Sequence, residues 1–128
     1  MSTSERTEFD EWLVDMVRQH GEFTALVILT EIGERSVVPL CSTYLHVIGE
    51  EVDWEEIKIM FAGSGRNWDG AAFFPTKGRN GGPIDNPTAR TRLAELEAKV
   101  TENRMVLNDG HFFDTLGRKI KIEPMTDA

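Results

Sequence analysis

Apolar positions along the chain change their period several times, and each change marks an element. Phe9, Trp12, Leu13, Met16, Val17 and His20 recur at helical spacing. That spacing predicts an amphipathic helix over 8–20. Thr7 is placed to cap it, Glu8, Asp10 and Glu11 put negative charge at its positive end, and Gly21 stops it. Residues 23–31, FTALVILTE, form a short apolar run rich in β-branched side chains. Periodicity alone does not separate a buried strand from a buried helix here, and the strand is preferred. Gly33 serves either reading, as a hairpin turn or as the residue after a helix.

Over 36–48, Val37, Val38, Cys41, Tyr44, Leu45 and Ile48 fall on one helical face, with Ser36 as cap and Pro39 in the first turn. This predicts a helix, with a strand through Val37 and Val38 as the alternative. The clearest start signal follows. Asp53 and Glu56 form a capping-box-like pair, Val52 and Ile57 occupy the staple positions, and Gly63 and Gly65 end a helix over 53–62. Residues 71–74, AAFF, read as a strand between Asp69-Gly70 and Pro75, and 76–86 as a loop. Asn86 then caps a helix over 87–103, with Pro87 at its first position and Ala89, Leu93, Leu96 and Val100 on one face. A short strand at 105–107 and a turn at 108–110 lead to a C-terminal β-hairpin, 111–114 with 119–123.

The expected architecture is one α+β domain over 1–128, with about four helices on a small, mainly antiparallel sheet. Residues 1–6 and 125–128 read as tails. In Phe73-Phe74 and Phe112-Phe113, adjacent rings face opposite sides of a strand. The sheet is therefore either covered on both faces or exposes an aromatic patch beside Trp68.

Charge refines this picture. The 128 residues hold 14 Lys and Arg against 22 Asp and Glu, a net charge of −8. Residues 1–62 carry 13 acids and 4 bases, whereas 63–128 carry 9 acids and 10 bases. Within 63–92 the bases Arg66, Lys77, Arg79, Arg90 and Arg92 face only Asp69 and Asp85. An acidic half thus precedes a cationic, glycine-rich segment. The acidic balance argues against nucleic acid as the main partner, because phosphate neutralisation needs Lys and Arg. A single cysteine, Cys41, leaves no disulfide framework and no Cys-rich zinc module. No apolar run approaches membrane-spanning length, and the polar, acidic N-terminus lacks secretory-signal character. The location expected from this is cytoplasmic.

Candidate chemistry is sparse. Gly63-Ser64-Gly65-Arg66-Asn67-Trp68-Asp69-Gly70 exposes backbone N–H groups, but a helix precedes it and a strand follows, the reverse of a dinucleotide fingerprint. The preferred reading of this segment is a helix C-cap and a turn into a strand, with Trp68 as a core anchor. Arg90 and Arg92 lie near a helix start, where anions are favoured, but point about 200° apart. His20, His46 and His111 sit in separate elements with no metal-ligand spacing. No catalytic residue, metal or cofactor is assigned. Two functions remain. One is a non-catalytic protein-interaction or accessory module of bacterial type, with a protein partner or self-association. The other is a small enzyme or ligand-binding protein holding a small anion with Arg66, Asn67, Trp68, Asp69, Arg79, Arg90 and His111.

Overall fold

The computed structural model describes residues 7–33, 37–49 and 53–121. The expected tails, the Ser36 cap, the turn beyond Gly33, the Val52 staple and residues 122–123 of the hairpin lie outside them. The element order is α1 (Glu8–His20), β1 (Phe23–Ile32), β2 (Val37–Val47), α2 (Trp54–Ala62), β3 (Gly70–Thr76), α3 (Asn86–Glu102), a 3-10 helix (Arg104–Asp109) and β4 (His111–Asp114). The strands form one antiparallel sheet in the order β2-β1-β3-β4.

Both faces of the sheet are covered. On one, Phe23, Ala25, Val27 and Leu29 of β1 meet Phe9, Trp12 and Leu13 of α1 and Trp54, Ile57 and Phe61 of α2. On the other, Leu26 and Ile28 meet Leu96 and Val100 of α3 and Leu107 of the 3-10 helix. This explains the unbroken apolar run in 23–31: a central strand buried on both sides has no polar face to alternate with. It also separates the paired phenylalanines. Phe73 and Phe113 enter the aromatic face, and Phe74 and Phe112 the aliphatic one. Trp68 packs at the aromatic side, so no exposed aromatic patch forms from these rings.

The caps act as their local sequences dictate. Thr7 Oγ1 accepts from the Asp10 N–H, and the Asp10 carboxylate accepts from the Thr7 N–H, each at 3.0 Å. Asp53 accepts from the Glu56 N–H at 3.0 Å. At α3 the cap is Asp85 rather than Asn86, with Asp85 accepting from the Thr88 N–H at 2.7 Å. Asn86 is freed for another contact, described below.

Three sequence expectations are corrected. The predicted helix over 36–48 is β2, an edge strand paired with β1 from Phe23↔Val47 to Ile32↔Val37. Its register shifts where Cys41 opposes Leu29 and Pro39 opposes Thr30, leaving Leu40 as the extra residue of a bulge. A bulge in an edge strand is where a proline, lacking its N–H, is tolerated. The predicted strand at 105–107 lies within the 3-10 helix, whose start is capped by Asn103 accepting from the Met105 N–H. The described residues therefore hold three α-helices and one 3-10 helix. In the hairpin β4 is present, and among the described residues 119–121 the return segment pairs with it through one bridge, Phe113 with Lys119. The 71–74 strand is longer than expected, running through Pro75, which opposes Ala25. At its start Gly70 is sterically required: a Cβ there would lie 2.7 Å from Thr30 Oγ1.

Candidate functional site

The residues singled out in the cationic segment divide by role. Arg66 and Asn67 are exposed in the loop after α2. Trp68 is half-buried, edge-on to Trp54 at 6.1 Å and to Phe61 at 5.4 Å between ring centres. Asp69 clamps the end of β1. Its N–H donates to the Thr30 carbonyl at 2.9 Å, and its carboxylate accepts from the Ile32 N–H at 2.7 Å. Its carboxylate is thus already used by the fold.

Arg79 lies on a cleft of about 620 Å³ between the glycine loop and the start of α3. Thr88 and Arg92 share that cleft. The Arg92 guanidinium also donates to Thr76 Oγ1 and to the Lys77 carbonyl. Asp85, on the same cleft, is held below the usual carboxylate range by its hydrogen bonds from Thr88. Arg90 is exposed and is not part of the cleft lining. Arg66 borders a different cleft of about 450 Å³, between β2 and α2, beside Cys41, Thr43, Met60 and Ser64. His111 is half-buried against Trp12, with ring centres 4.7 Å apart. Burial, and then the positive charge of Lys119, lower its pKa. The structure therefore brings Arg79 together with Arg92, and places Arg66 and His111 elsewhere.

One polar network was invisible in the sequence. Thr24 is fully buried in β1 opposite His46 of β2. The Ile84 N–H donates to Thr24 Oγ1 at 3.0 Å, which directs the hydroxyl proton to His46 Nδ1 at 2.8 Å. The His46 Nε2–H then donates to Asn86 Oδ1 at 3.0 Å, a tautomer inferred from this bonding. The chain of bonds pins the glycine loop and the start of α3 onto two strands. Strand register joins residues 24 and 46, and tertiary packing brings 84 and 86 to them, so local pattern held no signal for the network.

The remaining feature is an edge. β2 runs for 11 residues, VVPLCSTYLHV, without one Lys, Arg, Asp or Glu. Among the described residues no strand pairs with its outer side. Its positions 37–46 are half-buried or exposed. Val38 within it, Ile48 just beyond it and Met60 of α2 are exposed apolar side chains at 40, 53 and 49 %. Such an edge presents a row of free backbone donors and acceptors, and strands kept from pairing normally carry charge there.

Among the described residues, no three of His, Cys, Asp and Glu come together as a metal-binding group. No described helix is long and apolar enough to cross a membrane. In comparison with known proteins, the chain matches no protein-family model, no curated protein and no solved structure.

Proposed function

We propose that this chain is a non-catalytic protein-interaction module, a cytoplasmic accessory protein that binds its partner by strand addition along β2. The observation that carries this is the long outer edge of β2, none of whose own residues is Lys, Arg, Asp or Glu. In strand addition the backbone ladder supplies affinity and alternate side chains supply selectivity. The acidic first half of the chain leaves this edge as an uncharged stretch within it. A photo-reactive amino acid at position 43, introduced into the chain in cells, tests the proposal. A covalent adduct from position 43, with none from the exposed Leu116 beyond β4, is the expected result. Absence of an adduct from position 43 overturns it.

A second reading rests on the shared placement of Arg79, Arg92 and Thr88 in the cleft at the start of α3. Two guanidinium groups near a helix N-terminus suit a small anion. Isothermal titration with pyrophosphate tests this. Saturable binding lost in Arg79→Ala supports an anion-binding role, and no heat of binding removes it.

A further inference from the structure

We infer that the strand added to β2 is β2 of a second copy of this chain, giving a symmetric dimer with one continuous eight-stranded sheet. This rests on the reading of β2 as an interaction edge and names its partner. Three observations favour a second copy.

The first is electrostatic. A chain of net charge −8 repels a copy of itself over most of its surface. No residue of β2 itself carries charge to oppose the approach; the charged groups beside the strand are Glu97 of α3, which accepts from Ser42 Oγ, and Arg66 on the opposite face, one of each sign.

The second is geometric. An antiparallel ladder of a strand with itself is self-complementary, since each residue pairs as its partner pairs, which is what a two-fold interface requires. The stretch Cys41–Val47 lies beyond Pro39 and the bulge, and alternate residues of it turn their N–H and C=O away from β1 toward the open side. A two-fold axis normal to the sheet keeps each face on its own side. Opposed residues must then share a face, which places the axis on a residue rather than between two. Thr43 is central in this stretch. With the axis on it, Cys41 meets Leu45 of the second copy, and Ser42 meets Tyr44. Apolar thus opposes apolar, and hydroxyl opposes hydroxyl.

The third is continuity. Met60 of α2 is half-exposed on the cleft that also holds Cys41 and Thr43, immediately beside the edge. The two-fold axis brings the α2 helices of both copies to the same face of the joined sheet. Met60 then extends the apolar contact beyond the ladder.

Light scattering across a concentration series, with hydrogen exchange of the backbone amides, tests the inference on the full chain. The expected results are a dimer in which alternate amides within 41–47, those facing away from β1, gain protection as concentration rises, and a Thr43→Lys variant, folded by circular dichroism, whose association is weaker on the order of 10- to 100-fold. Thr43→Gln, neutral at the same position, retains dimerisation and controls for loss of fold. A monomer at every concentration overturns the inference, as does a dimer that Thr43→Lys leaves intact. The mass of the adduct cross-linked from position 43 separates the two readings. Twice the chain mass supports the second copy. A different mass overturns self-pairing while preserving the interaction edge, and no adduct removes both.

Discussion

The two edges of the sheet are built in opposite ways. β4 has four residues and is tied down on every side. The turn after it receives the Trp54 Nε1–H at the Thr115 carbonyl and the Phe9 N–H at the Gly117 carbonyl, both at 2.9 Å. Glu8 accepts from the Lys119 N–H, also at 2.9 Å. Arg118 pairs with Asp114 at 2.8 Å, and Lys119 bridges to Phe113. Thus α1, α2 and a charged turn close this edge. β2 is nearly three times as long and has neither charge nor a covering strand among the described residues. One fold contains both a protected edge and an unprotected one, so the lack of protection at β2 is a local property of 37–47.

The largest effect expected from breaking this contrast comes from the closed side. Phe113 is fully buried, with its ring 5.2 Å from Phe9 and 5.6 Å from Trp12. Phe113→Ala removes the anchor of β4 and is expected to destabilise by about 3–5 kcal/mol in urea unfolding. A loss below about 1 kcal/mol would show that hydrogen bonds, not packing, hold that edge.

Thr24→Val comes next. It leaves the Ile84 N–H without its acceptor and His46 without its donor. The expected loss is about 1–3 kcal/mol, accompanied by faster amide exchange at Ile84. This variant asks whether β2 is held to the glycine loop as well as to β1. Asp114→Ala removes the acceptor for the Leu116 and Arg118 N–H groups in the closing turn. About 1 kcal/mol is expected, read as a lower thermal midpoint. By contrast, Thr43→Lys on the open edge is expected to change the stability of dilute protein by no more than about 0.5 kcal/mol.

The smallest effect is a pH dependence at the first residue of β4. Burial and Lys119 lower the His111 pKa in the folded chain from its ordinary value of 6.5. The unfolded chain then binds that proton more readily. Stability is therefore fully present above 6.5 and is lost as the pH falls through 6.5 toward the folded-state pKa. Compared with wild type, His111→Gln is expected to lose less stability on acidification to about pH 5. Parallel urea-midpoint curves for the two proteins would show that His111 titrates freely.

Each part of the fold that was legible in the sequence is decided within a few residues. The Thr7–Asp10 and Asp53–Glu56 caps act across one helical turn, so α1 and α2 are visible in local spacing. The same holds for the opposite facing of Phe73-Phe74 and Phe112-Phe113, which follows from the pleat alone. Asp85 rather than Asn86 caps α3, because two adjacent residues could both cap and only His46, 40 positions away, engages Asn86.

The segment 37–47 shows the limit. Its apolar residues fit a helical face as well as a strand, and local pattern leaves the two nearly balanced. Pairing with β1, which needs a partner on each side, tips that balance toward strand. Arg66 and Arg79 are close in a cationic count along the chain, but β3 lies between them and they border separate clefts. The sequence by itself determined the helices with strong caps and the opposite facing of the paired phenylalanines, because capping and the strand pleat act over a few residues. The tertiary structure alone decided that the apolar run 23–31 is a central strand, that the sheet is covered on both faces, that β2 is a strand at an edge, and that Thr24 joins His46. These depend on strand register and tertiary packing, which bring together residues that are far apart in the chain.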